Sequence, residues 1–215
     1  MRGAGALLAA VKAGDTDTVA RLLARDPRLA GAQEAGISAV RLARYHRQPA
    51  VLDVLLQHSP PLDALDHAAL GWTEELRADL AADPDAVARR SADGFTALHY
   101  ACFFGGAPAV GVLLAAGADP DAQAADPPVR PLHSAAAARD AEAIRLLLET
   151  GADPDARQAG GFTALHAAAR HDDEASAALL MQHGADPALR NDGGDDAHAL
   201  ARANGSTAVL ALLGG

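Results

Sequence analysis

One motif returns along this chain at a nearly constant interval: Gly94-Phe95-Thr96-Ala97-Leu98-His99, Arg130-Pro131-Leu132-His133 and Gly161-Phe162-Thr163-Ala164-Leu165-His166. Each copy is followed by a paired-apolar stretch and then by Gly117-Ala118-Asp119-Pro120, Gly151-Ala152-Asp153-Pro154 or Gly184-Ala185-Asp186-Pro187. The copies lie 34 and 33 residues apart, a period that holds two short helices and a β-turn. A unit of that size cannot bury an apolar face alone, so it gains stability by stacking on similar neighbours. The expected fold is therefore an all-α solenoid, and the functional question shifts from a reaction centre to a contact surface.

Taking the Thr of Thr-x-Leu-His as the origin, equivalent positions fall at Gly5, Ser38, Leu62, Thr96, Arg130, Thr163 and Asp196. Seven units follow within one domain over residues 1–215: 1–33, 34–58, 59–91, 92–125, 126–158, 159–191 and 192–215. In the fourth unit, Gly94 suits a tight turn and Thr96 an N-cap. Leu98, Ala101, Cys102 and Gly105 form the i, i+3, i+4, i+7 stripe of a buried helix face. Pro108 can open a second helix with Val110, Leu113 and Leu114 on its apolar side, and Gly117 fits its left-handed cap.

These residues resemble the ankyrin repeat, whose pattern is Asp-Gly-x-Thr-Pro-Leu-His-x-Ala-Ala, a Leu-Leu pair, then Gly-Ala-Asp. The resemblance implies an ankyrin-repeat solenoid of antiparallel helix pairs stacked side by side, with hairpin-like loops projecting from one edge. It also implies a protein partner held on the concave face of loop tips and inner helices.

Departures from the pattern carry expectations of their own. The first and last units lose the signature, as water-facing caps would. About ten residues are missing between the second and third units, where Ser59-Pro60-Pro61 replaces the Gly-Ala-Asp turn, so the projecting loop there is expected to be truncated. Asp79 stands where a paired Leu should begin, which predicts loose packing of the third unit. In the fifth, Asp126-Pro127-Pro128 should stiffen the loop.

The aromatic residues are placed against the core logic. At ~100° per residue, Phe103 and Phe104 lie roughly 140° and −120° from Leu98, off the buried stripe. Phe95 and Phe162 precede the capping Thr in their loops. The positions of Phe103-Phe104 are taken by Tyr45-His46, Ala137-Ala138 and Arg170-His171 in other units, and Trp72 opens the turn after the third inner helix. Aromatic and Arg side chains on an exposed face are the usual anchors of interfaces. The expected partner-binding set is Tyr45, His46, Trp72, Phe95, Phe103, Phe104, Phe162, Arg170 and His171. The alternative is that the rings pack on one another or bridge neighbouring helices. If they are surface, changing Phe103 and Phe104 together to Asp leaves the melting temperature nearly unchanged.

Composition narrows the function further. The net charge is −10 and no run of Lys or Arg occurs, which disfavours nucleic acid and anionic membranes as partners. No apolar run approaches the ~20 residues of a membrane-spanning helix, so a cytoplasmic location is expected. Met1 to Val11 faintly resembles a signal segment, but its phase reads better as the first inner helix. Cys102 is the only cysteine and sits on a buried stripe, as a structural residue would.

Nine histidines raise the question of a metal. His99, His133 and His166 stand one repeat apart on separate helices and cannot converge, whereas zinc needs three or four ligands at one point. They are expected to bond loop backbone between neighbouring units. His171 with Asp172 and Asp173 reads as a solvated helix end, and His183 as a residue that meets free carbonyls at a helix terminus. The acidic turns lack the calcium-loop pattern, and phosphate-binding glycine motifs are absent. The reading is a non-enzymatic adaptor without cofactor or metal, monomeric alone. Two others stay open: a metal-dependent enzyme using surface His and Asp, and a self-associating module.

Overall fold

The computed structural model describes residues 2–124 and 128–214. Within them, fourteen α-helices follow one another in pairs. The inner helix and its outer partner are α1 (Arg2–Ala13) with α2 (Thr16–Arg25), α3 (Ala39–Tyr45) with α4 (Pro49–Gln57), and α5 (Ala64–Leu70) with α6 (Thr73–Ala82). Then come α7 (Ala97–Tyr100) with α8 (Ala107–Ala115), α9 (Pro131–Ala138) with α10 (Ala141–Glu149), α11 (Ala164–His171) with α12 (Glu174–Gln182), and α13 (Ala197–Asn204) with α14 (Thr207–Leu212). Inner helices pack on inner helices and, α4 and α6 apart, outer on outer. The result is a solenoid whose core is the seam between the two rows.

Each inner helix ends on an N–H that reaches back five residues: Asp15 to Ala10, Gln48 to Ala43, Trp72 to His67, Gly106 to Ala101, Asp140 to Ala135, Asp173 to Ala168 and Ser206 to Ala201. Such a bond satisfies a carbonyl that the helix end would otherwise leave free. The fourth inner helix differs in finishing through a wide π turn over Ala101–Gly105. Its left-handed residue is Gly106 rather than the preceding one, as in the equivalent Gly71 and Arg139.

The motif histidines are stitches. His99 Nδ1 accepts from the Thr96 N–H at 3.2 Å, and its Nε2 donates to the Val129 carbonyl at 3.0 Å in the next loop. His133 joins Arg130 to Ala156, and His166 joins Thr163 to Asp195, in the same way. His183 Nδ1 meets the Leu179 carbonyl at 2.9 Å.

The seam between α3 and α5 is built differently. Buried apolar side chains fall into two clusters, one over α1–α4 and one from α5 onward. Between them lie Arg41 and Asp66, both almost fully buried, with Arg41 Nε 3.0 Å from Asp66 Oδ1. Each occupies the third residue of its helix, where the fourth, fifth and sixth units carry the stitching His. Ser38 donates to the same carboxylate. The guanidinium also lies 5.5 Å from the Tyr100 ring. Burial raises the Asp66 pKa, and Arg41 offsets this only in part. Burial opposes the Arg41 charge, yet Asp66 and Asp63 outweigh it and raise that pKa. The guanidinium keeps its proton at any ordinary pH and favours the charged form of Asp66 against the burial.

Three expectations need correction and one lies out of view. The third inner helix is capped by Asp63 rather than Leu62, because the Asp63 carboxylate accepts from the Asp66 N–H at 2.9 Å. The third unit is not loosely packed: Leu76 and Leu80 are buried, and Asp79 turns outward to His67 Nδ1 at 2.6 Å. Gly5 lies inside α1 rather than at its start. The loop before α5 is short and carries no strand, unlike the hairpin Gln33–Glu34/Ile37–Ser38 before α3. The Asp126-Pro127 part of the fifth loop falls outside the described residues.

Candidate interaction surface

The last turns of the inner helices set the relief of one face. α3 ends in Tyr45 followed by His46 and Arg47, the fourth inner helix in Phe103 and Phe104, and α11 in Arg170 and His171. Between the latter two stands α9, which ends in the exposed small residues Ala137 and Ala138. Large side chains on both sides of two alanines leave a hollow. The structure has an open cavity of about 470 Å³ there, walled by Tyr45, Phe95, Phe103, Ala137, Arg170 and His171 among others.

One wall is a packed aromatic cluster. Phe104 meets Tyr45 edge to face at 5.3 Å and Phe103 at 4.7 Å, the arrangement that ring quadrupoles favour. Arg44 lies over the Phe104 ring at 5.4 Å and donates to its carbonyl. Tyr45 from α3 thus reaches past α5 to the fourth inner helix, where it also meets Tyr100 at 6.0 Å. Its hydroxyl donates to Asp93 at 3.0 Å. Close backbone approach helps to hold this wall, since a Cβ added to Gly105 would stand 2.0 Å from the Ala68 carbonyl oxygen.

The two phenylalanines therefore differ. Phe103 is 40% exposed, while Phe104 is half-buried and packs against the core. The expectation that both could become Asp at little cost is wrong for Phe104, whose ring seals the gap above α5. Phe95 is likewise half-buried, edge-on to His99 at 5.2 Å. The self-packing alternative holds for Phe104 and Tyr100; Tyr45 and Phe103 keep one side free.

Phe162 stays outside the cavity lining but lies 6.0 Å from the Arg170 guanidinium and 5.8 Å from His166. Trp72 and His46 are exposed without lining it, and Trp72 stacks on His67 at 6.0 Å. Arg47, Tyr100 and Gln158 do line it and were not anticipated. Arg47 was legible in principle, as the residue just beyond Tyr45-His46 in the repeat phase. Gln158 comes from a loop whose path the spacing does not define.

The cavity differs in charge from the whole chain. Among the described residues, no Asp or Glu lines it or the shallower hollow beside it, which has Arg44 and Arg47 in its wall. Among the described residues, Arg44, Arg47 and Arg170 have no carboxylate within 4.0 Å. Asp93, beside this wall, is engaged by the hydroxyls of Tyr45, Tyr100 and Ser91. Burial lowers the pKa of His99 to about 4 and also lowers that of His133, so both are neutral at pH 7.

Among the described residues no three His, Cys, Asp or Glu side chains gather as a metal-holding group. Cys102 is buried, and that burial pushes its thiol pKa well up, away from the nucleophilic thiolate. No described helix is long and apolar enough to cross a membrane.

Repeated helix pairs, histidine stitches and projecting loops define a class, the helical-repeat solenoid. The family model described as ankyrin repeats (3 copies) matches residues 7–124 and 125–191. The chain belongs to the ankyrin-repeat family, whose members are generally protein–protein interaction modules and typically non-enzymatic. No protein in a curated set matches it.

Proposed function

We propose that this chain is a non-enzymatic adaptor that works as a monomer and docks a partner protein on its concave face. The centre of the docking surface is the cavity over Ala137, with Tyr45, Phe95, Phe103, Phe104, Arg170 and His171 around it and Phe162 at its margin. The observation that carries the reading is an open hollow beside exposed aromatic rings, with no Asp or Glu among the described residues of its lining. Exposed rings with one free side are costly in water and become anchors when a partner covers them.

Phe103→Asp is the suitable probe, because that ring is the exposed member of the pair. Affinity capture from the source cell should return proteins on the wild type that are lost on the variant. Loss of one such anchor costs about 2 kcal/mol, roughly 30-fold in Kd. An Arg77→Asp control on the outer row should retain them. Equal capture by wild type and Phe103→Asp, with unchanged melting, would overturn the assignment.

A further inference from the structure

The cavity combines three properties that together specify an occupant. Its floor is apolar and small-residue, since Ala137 and Ala167 contribute where neighbouring units carry bulk. Its volume, about 470 Å³, lies in the range of sites that enclose a sizeable apolar group. Its rim is cationic: Arg47 stands on one side and Arg170 on the other, both exposed and without a carboxylate partner among the described residues. The remainder of the molecule is acidic, with a net charge of −10. A basic segment would meet repulsion from the rim arginines and find no counter-charge among the described residues of the lining. An acidic segment would find two rim arginines without carboxylate partners here, on a chain whose net charge is −10.

We infer that the cavity receives one bulky apolar side chain of a partner segment whose adjacent residues are Asp or Glu. The side chain fills the hollow over Ala137 against Phe103, and the flanking carboxylates pair with Arg47 and Arg170. This rests on the docking surface described above and names its partner's chemistry. The apolar contact supplies most of the affinity, because removing apolar area from water contributes more than charge pairs screened by solvent at a rim. The arginines supply the sign preference, since rim charges at an interface select partners more than they strengthen binding.

The test is a display selection of random 12-residue peptides on the full-length chain, followed by titration of the best synthetic peptide by fluorescence polarisation. Enriched peptides should carry Trp, Phe or Leu with Asp or Glu within four positions. Replacing those acids by Lys should weaken Kd at least tenfold at low salt, with the gap narrowing as ions screen the rim. In Arg47→Glu/Arg170→Glu the preference should reverse towards the Lys form, and Ala137→Trp should remove binding by filling the hollow. Helicity by circular dichroism checks that each variant folds; the double charge reversal, at exposed helix ends, keeps the test open if Ala137→Trp does not.

Enriched peptides that are basic or uncharged, yet lose binding in Phe103→Asp, would overturn the acidic partner while sparing the docking surface. Peptides indifferent to Phe103→Asp and Ala137→Trp would overturn both. No enrichment over the Ala137→Trp protein would also refute the proposal.

Discussion

Acid should weaken this array through its stitching histidines, and His99 allows the size to be worked out. Its Nδ1 faces the Thr96 N–H and the Thr96 hydroxyl, and its Nε2 faces the Val129 carbonyl. A second proton would have to sit on Nδ1, pointing at an N–H donor inside a buried site. Burial accordingly holds the folded pKa at about 4, below the ordinary 6.5. The unfolded chain therefore takes up the proton first as pH falls. The contribution is complete above about pH 6.5 and drains away towards pH 4. At 1.36 kcal/mol per pKa unit, the loss from His99 is about 2 kcal/mol at pH 5 and about 3 kcal/mol below pH 4. His133 and His166 are shifted the same way and add to it. Asp66, with its raised pKa, works in the opposite direction. Urea unfolding followed by circular dichroism at pH 7, 6 and 5 measures the sum. The same series on His99→Gln, which can span either hydrogen bond without titrating, isolates His99. A His99→Gln protein that loses as much stability between pH 7 and 5 as the wild type would refute the argument.

Two further outcomes follow from packing. Asp66→Ala leaves the buried Arg41 charge with only the partly exposed Asp63 carboxylate at 3.7 Å and should cost about 3 kcal/mol, whereas Arg41→Met/Asp66→Leu should cost far less; denaturant midpoints separate the two. Gly105→Ala drives a methyl against the Ala68 carbonyl and should cost about 1–3 kcal/mol by overpacking, read as a lowered melting temperature.

Much of the fold was legible because the repeat couples local chemistry to position. Thr163 caps and Gly117 ends a helix by short-range geometry, so each could be placed from its neighbours in sequence. The misplaced start at Leu62 has a physical origin: without the motif the phase was counted, while the cap depends on which side chain reaches an N–H, and Asp63 does. Asp79 misled for a similar reason, since an acid in an apolar slot can turn to a histidine on the facing helix. On the surface, helical angle separated Phe103 from the buried stripe, but it could not foresee that Tyr45 and Arg44 would cover Phe104 from across α5. The hollow over Ala137 was implicit in the sequence of large and small pairs. Its cationic rim was not, because Arg47 and Arg170 come from helices far apart in the chain.

The seam between α3 and α5 also bears on how the array comes apart. In a linear stack, each junction transmits folding to the next, and the weakest junction sets the size of the cooperative blocks. The last three junctions are spanned by a shared apolar core and a histidine stitch; here the cores are separate and an ion pair stands in for the stitch. Tyr45 and Phe104 then act as the strap across the break, so the aromatic wall of the proposed docking face also links the two blocks. A partner that presses on those rings would clamp the first two helix pairs to the rest, and its departure would release them to exchange their amide protons as a block of their own.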